Sequence, residues 1–201
     1  MAIANDDDME AFFSDVVRYR PQELDQLTSA TKFSRREIQH IYRGFKQECP
    51  LGTVDEDRFK HLFSQFFPFG DATKYAQFVF GTFCPRGSNI INFEEFLSSL
   101  SLVARGSLQD KIAWIFSLYD IDHDGLITKR EMTEVVGAIY ELLGASTDPA
   151  LDAGAVERHV DAVFELIDTN GDGVITLDEM EQWCTRDEGY TKSLDMLNTV
   201  W

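Results

Sequence analysis

Apolar residues recur along the chain at helical spacing, in a pattern that repeats four times. Each repeat has an apolar stripe at positions i, i+3, i+4 and i+7, then a polar loop of twelve residues, then a second stripe. This spacing puts the apolar side chains on one face of a helix. The first stripes are Ile38, Ile41, Tyr42 and Phe45; Ala76, Val79, Phe80 and Phe83; Ile112, Ile115, Phe116 and Tyr119; and Val160, Val163, Phe164 and Ile167. The pattern predicts an all-α protein whose repeating unit is helix, loop, helix.

The polar loops of the four repeats differ in their chemistry. Residues 120–131 and 168–179 both match D-x-[DN]-x-[DN]-G-x5-E, whereas residues 47–58 and 84–95 do not. That pattern is the calcium-binding loop of the EF-hand, a helix–loop–helix unit. The sequence therefore predicts four EF-hands, with intact calcium loops in the third and fourth.

The two matching loops carry oxygen ligands at the positions that calcium uses. In the third loop these are Asp120, Asp122, Asp124, the Leu126 carbonyl, Thr128 through a water, and Glu131. In the fourth loop they are Asp168, Asn170, Asp172, the Val174 carbonyl, Thr176 and Glu179. The glutamate that ends each loop favours the large coordination shell of calcium over octahedral magnesium. We expect calcium at both sites, with magnesium as a second occupant at low calcium.

The first and second loops lack this ligand set. The first loop ends in Arg58, and the second has Cys84 at position 1 and Arg86 at position 3. Arginine at a ligand position puts a positive charge where the cation would lie, so we interpret both loops as structural and free of calcium. Cys49 and Cys84 lie in separate loops without metal-site spacing, which favours buried or partly buried thiols over a soft-metal pair.

One aliphatic residue at the centre of each loop predicts how the hands pair. These residues are Val54, Ile91, Ile127 and Ile175. In paired hands this residue lies in a short antiparallel strand that links two loops. We therefore divide the chain into an N-terminal extension with short helices (1–32), an N-lobe (33–104) and a C-lobe with a C-terminal helix (105–201).

Charge and composition exclude several classes of function. The 201 residues include 35 acids against 18 Lys plus Arg, a formal charge of −17, which disfavours direct binding to nucleic acid. Three cysteines and an N-terminus without a secretory pattern favour a reducing, cytoplasmic compartment. The longest uncharged run, residues 75–85, is too short to span a bilayer. No nucleophile–base arrangement or phosphate loop is present, so we expect no enzyme.

Phenylalanine is abundant, with 16 in the chain, and its clustering has two interpretations. Burial in the lobe core is the simpler one, and it is favoured for Phe59, Phe63 and Phe66. The cluster nevertheless exceeds what one lobe easily buries, which favours a groove for the apolar face of a partner helix. The residues assigned to this partner groove are Phe63, Phe66, Phe67 and Phe96, with Leu194 and Leu197 of the C-terminal helix.

Several short segments together resemble one known family. They are Tyr-Arg-Pro at 19–21, Phe-Ser-Arg-Arg-Glu at 33–37, Tyr-Arg-Gly-Phe-Lys at 42–46, Glu-Cys-Pro at 48–50, Gln-Phe-Phe-Pro-x-Gly-Asp-Ala at 65–72, Leu-Tyr-Asp-Ile at 118–121 and Val-x-Thr-Leu-Asp-Glu at 174–179. The chain resembles the neuronal calcium sensors, and within them the potassium-channel-interacting proteins, from about residue 17 onward. This resemblance implies a recoverin-like fold of four EF-hands in two paired lobes.

The resemblance also implies a function. It implies an auxiliary subunit that holds the cytoplasmic N-terminal helix of an A-type voltage-gated potassium channel in a hydrophobic groove, at the plasma membrane through that channel. Residue 2 is Ala rather than the glycine that myristoylation requires, so no membrane anchor is expected. The alternatives are a regulator of a non-channel target, a calcium buffer, a calcium-regulated transcription repressor and a phosphatase regulatory subunit.

Overall fold

The computed structural model describes residues 21–84, 88–144 and 154–186. Within these ranges the helices are α1 (Pro21–Ala30), α2 (Arg35–Glu48), α3 (Glu56–Ser64), α4 (Thr73–Phe83), α5 (Phe93–Arg105), α6 (Leu108–Tyr119), α7 (Lys129–Leu143), α8 (Ala155–Ile167) and α9 (Leu177–Arg186). The strands are β1 (Thr53–Asp55), β2 (Ile90–Asn92), β3 (Ile127–Thr128) and β4 (Val174–Ile175). None of the helices in these ranges is long and apolar enough to cross a membrane. The predicted C-terminal helix, with Leu194 and Leu197, lies outside the described residues.

Reciprocal capping boxes determine where several helices begin. At the start of α7 the Glu131 amide donates to the Thr128 hydroxyl, and the Thr128 amide donates to the Glu131 carboxylate. The same arrangement starts four further helices, with the pairs Ser34–Glu37, Asn92–Glu95, Ser107–Asp110 and Thr176–Glu179. Each box satisfies two amides that have no partner inside the helix. In α7 the capping glutamate is also the residue that ends the third polar loop.

Two antiparallel strand pairs link the loops, as the aliphatic positions predicted. Val54 of β1 lies opposite Ile91 of β2, and Ile127 of β3 lies opposite Ile175 of β4. All four side chains are at most 2% exposed, so each link forms part of an apolar core. The predicted antiparallel links between loops are therefore confirmed.

The apolar interior is divided into two clusters that share one helix. Ile112 and Phe116 of α6 belong to the cluster formed with α7, α8 and α9. Leu118, on the opposite face of α6, belongs to the cluster built mainly from α1 to α5. On that second face the indole of Trp114 donates to the Thr82 hydroxyl of α4 at 3.0 Å. Helix α6 therefore ties the two halves of the molecule together.

The halves also meet where the start of α4 lies against the end of α7. A Cβ added to Gly70 would lie 1.9 Å from the carbonyl oxygen of Leu142, so only glycine permits this approach. Next to it, the Asp71 amide donates to the Glu141 carbonyl at 2.9 Å. The Lys74 ammonium lies 2.7 Å from the Glu141 carboxylate. These contacts hold α4 and α7 at a short, defined distance.

Candidate metal centre

Three carboxylates converge in the loop between α6 and β3. One oxygen each from Asp120, Asp122 and Asp124 lies within 4.8 Å of the others. Asp120 is buried, while Asp122 and Asp124 face solvent. The chain then turns sharply at Gly125, whose φ of +90° is a backbone conformation that favours glycine. The turn wraps the loop around the point where the three carboxylates meet.

Backbone amides within the loop hold these carboxylates in position. The two carboxylate oxygens of Asp120 accept hydrogen bonds from the Asp124 amide at 3.1 Å and the Gly125 amide at 3.0 Å. One oxygen of Asp124 accepts from the Leu126 amide at 2.8 Å. Each oxygen still has a lone pair for a cation, because a carboxylate oxygen can accept more than one bond.

Glu131 closes the third loop from its far end. Its side chain is 2% exposed, and its two oxygens accept from the Thr128 amide at 2.8 Å and the Ile121 amide at 3.1 Å. Burial by itself raises the pKa of Glu131, but the hydrogen bonds from Thr128, Asp122 and Ile121 outweigh it and leave the pKa below its ordinary value. The carboxylate is therefore ionised at neutral pH, the form that a metal ion requires.

The fourth loop, between α8 and β4, repeats the hydrogen bonds of the third. Asp168 accepts from the Gly173 amide at 3.0 Å, and Gly173 has a φ of +86°. Glu179 accepts from the Thr169 amide at 3.2 Å and from the Thr176 amide at 3.0 Å. The bond from the Thr176 backbone is the main cause that lowers the pKa of Glu179, with burial opposing it. This carboxylate is also ionised at neutral pH.

Both loops offer a donor set that fits calcium. All the candidate side-chain ligands are oxygen atoms, which a hard divalent cation prefers over nitrogen or sulfur. In the structure Thr128 and Thr176 donate their hydroxyl hydrogens to the neighbouring glutamates, at 2.7 and 2.8 Å. The capping-box spacing of the sequence predicts both threonine–glutamate pairs, but not these bonds from the hydroxyl to the carboxylate. The water-mediated role assigned to the two threonines stays a prediction, as does each individual ligand.

The second loop has a different internal arrangement. The Cys84 thiol donates to the Ser88 carbonyl at 3.1 Å, and the Ser88 hydroxyl donates to the Ile90 carbonyl at 2.7 Å. Cys49 is buried and Cys84 partly buried, as the sequence predicted. Arg86 lies outside the described residues.

The phenylalanines of the predicted partner groove separate into exposed and partly buried groups. Phe59 is 8% exposed, so its assignment to the core is confirmed. Phe66 is 71% exposed, so the same assignment for Phe66 is wrong. Phe63 is partly buried and its ring stacks on Phe67 with centroids 5.1 Å apart. Phe69 lies in the same Phe-rich segment but was not among the predicted groove residues. It is 80% exposed.

The last predicted groove residue in the described ranges lies apart from that segment. Phe96 of α5 is partly buried, with its ring centroid 5.3 Å from that of Phe45 and 6.4 Å from that of Phe83. Its assignment to a partner groove stays a prediction.

Comparison with known protein families supports the assignment of the metal centre. Residues 109–185 match the family described as an EF-hand domain pair. The matched span runs from α6 into α9 and contains both carboxylate loops. The chain thus carries an EF-hand pair, which supports a calcium-binding EF-hand protein.

Proposed function

We propose that this protein is a calcium sensor built from four EF-hands in two paired lobes. Four helix–strand–helix units follow one another in the described residues, and their strands pair two by two. The third and fourth hands would bind calcium, because their loops carry the carboxylates. The first and second hands would be structural.

The exposed aromatic surface favours a sensor over a buffer. A buffer needs only its ion sites, whereas Phe66 and Phe69 place large apolar rings in solvent at 71% and 80% exposure. They belong to the same Phe-rich segment as the stacked pair of Phe63 and Phe67, and such exposed rings suit the apolar face of a partner helix. This exposure is the single observation that carries the proposal.

The preferred target is the cytoplasmic N-terminus of an A-type voltage-gated potassium channel. The motifs shared with potassium-channel-interacting proteins support that choice, and so does the aromatic surface. In this proposal the protein is a non-enzymatic, cytoplasmic subunit that reaches the plasma membrane through the channel and binds no nucleic acid directly. A calcium buffer is the second candidate, because an EF-hand pair alone also satisfies that function.

Isothermal titration tests the proposal directly. The full chain is titrated with a synthetic peptide of the channel's N-terminal segment, once with saturating calcium and once with a chelator. We expect saturable binding in calcium, and no binding of a control peptide whose apolar positions are replaced by serine. A chain that binds calcium but neither peptide is a buffer. A chain that binds both peptides equally does not recognise an apolar helix face.

A further inference from the structure

The first loop, residues 47–58, keeps the glycine turn of a calcium loop without its ligands, and α2 extends through its first two positions to Glu48. Gly52 has a φ of +81°, close to the +90° of Gly125 and the +86° of Gly173 at the same position of the calcium loops. Positions 1, 3 and 5 of the first loop are Gln47, Cys49 and Leu51, and none of them is a carboxylate. Another interaction must hold this turn in place.

Arg58, at position 12 of the first loop, makes that interaction. One terminal nitrogen of its guanidinium donates to the backbone carbonyl of Glu48, at position 2. The same nitrogen lies 3.9 Å from the Glu48 carboxylate. The Arg58 amide donates to Asp55 at 2.8 Å, which caps α3. The end of the loop is thereby bonded back to its beginning.

The calcium loops make the corresponding contact with the opposite polarity. In the third loop the Glu131 carboxylate accepts from the amide of Ile121, at position 2, at 3.1 Å. In the fourth loop Glu179 accepts from the amide of Thr169, also at position 2, at 3.2 Å. In the first loop a cationic donor takes the place of the anionic acceptor and bonds to the position-2 carbonyl, which here belongs to the last residue of α2.

A second basic side chain supports the same loop. The Lys46 ammonium donates to the carbonyl of Pro50, at position 4, at 2.6 Å, and approaches the Gly52 turn. Between the two bonded carbonyls lies Cys49, which is only 4% exposed. The cationic groups of Arg58 and Lys46 therefore each bond to a loop carbonyl, as a bound cation does in a calcium loop.

We propose that Arg58, assisted by Lys46, is a built-in substitute for the cation of the first hand. The guanidinium supplies both the charge and the donor that close the loop, so the first hand keeps one conformation at any calcium concentration. The N-terminal half then changes state only through its contacts with the calcium-binding half. This inference does not depend on the identity of the target.

Alkylation of Cys49 in the full chain, followed by peptide mass spectrometry, tests the substitution. In the parent protein we expect Cys49 to be labelled slowly. The labelling rate measured with calcium and the rate measured with chelator should agree within about twofold. Arg58→Gln should raise the rate by about tenfold or more, since a charge-assisted bond is lost and the loop opens. The control is Lys60→Gln, which removes the same charge from α3 at an ion pair with Glu56 of the same helix.

Two outcomes would overturn the inference. One is an Arg58→Gln protein that labels at the parent rate, with normal far-UV dichroism and calcium stoichiometry. The other needs no variant: if calcium slows labelling of Cys49 in the parent by about tenfold, the first loop responds to calcium and Arg58 does not replace the cation.

Discussion

Single residues of this protein combine two roles, and the clearest case is the glutamate at the end of each calcium loop. Glu131 caps α7 through the Thr128 amide and also reaches the start of its loop through the Ile121 amide. Glu179 does the same in the fourth loop. One carboxylate thus links the start of a helix to the geometry of an ion site.

Glu131→Gln should remove one calcium site and leave the other. The amide keeps the size of the side chain but loses the charge and one of the two carboxylate oxygens that calcium requires. Isothermal titration should then give one site where the parent gives two, with affinities of about 10⁻⁷–10⁻⁵ M typical of sensor hands. The matched control is Glu134→Gln, on the same helix, where the glutamate lies 3.8 Å from Arg130 on the surface. An unchanged stoichiometry in Glu131→Gln would place the third site elsewhere.

Truncation of Phe66 should affect target binding, whereas truncation of Phe59 should affect stability. Phe66→Ala should weaken binding of the target peptide about 30-fold, the loss of roughly 2 kcal/mol seen at interface hot spots, with little change in stability because the ring is exposed. Phe59→Ala should lower the free energy of unfolding by about 3–5 kcal/mol, because that ring is buried. Peptide titration and urea denaturation measure the two effects. Parent-like peptide binding by Phe66→Ala would remove Phe66 from the target surface.

At the scale of elements, α2 and α5 are held together by one ion pair on top of their apolar contacts. The Arg105 guanidinium at the end of α5 lies 2.5 Å from the Glu37 carboxylate of α2 and 4.4 Å from the ring centre of Phe33. Glu37 also caps α2 together with Ser34. The pair therefore connects a helix start to a helix end.

The stability that Glu37 contributes should disappear in acid. The hydrogen bond from Arg105 is the main cause that lowers the pKa of Glu37 to about 2 from an ordinary value of 4.5. A depressed folded-state pKa means that the contribution is complete above pH 4.5 and is lost as the pH falls toward 2. The pair is partly exposed, so we expect about 1 kcal/mol or less.

Thermal unfolding across that pH range measures the effect. The melting temperature of Glu37→Gln should fall less steeply with acid than that of the parent. Glu94→Gln, at an exposed position of α5, serves as the control and should keep the parent slope. Parallel curves of melting temperature against pH for the parent and Glu37→Gln would show that Glu37 is not the source of this acid-sensitive stability.

At the scale of the whole molecule, the two halves form one packed unit. Helix α6 contributes Leu118 to one cluster and Phe116 to the other. Gly70 lies against the backbone of α7, and Lys74 pairs with Glu141 of α7. The calcium loops are therefore connected, through α6 and α7, to the half that carries the exposed phenylalanines.

Gly70→Ala should disturb that contact between the halves. The added methyl would lie 1.9 Å from the Leu142 carbonyl oxygen, and backbone cannot yield as a side chain can. We expect the free energy of unfolding in urea to fall by roughly 1–3 kcal/mol. Gly81→Ala, inside α4 with open space around it, should be neutral or stabilising by up to about 1 kcal/mol. Equal stability of the two variants would show that the contact is not tight.

Features that depend on a few neighbouring residues were predictable from sequence alone. The carboxylate loops, the glycine turns and the capping glutamates all arise within twelve consecutive residues, so their spacing along the chain determines their geometry. The aliphatic links were predictable as well, because the central residue of each loop pairs with the same position of its partner loop.

Only the tertiary structure decided which apolar residues meet and which remain in solvent. Periodicity identifies the apolar face of a helix but not the element that covers it, so the burial of Phe59 and the exposure of Phe66 could not be distinguished. For the same reason periodicity could not show that Leu118 belongs to the cluster built mainly from α1 to α5, and not to the cluster of Phe116. The bond from Arg58 to the Glu48 carbonyl was hidden for a related reason: a ligand pattern shows that a calcium ligand is missing, but not which group takes its place.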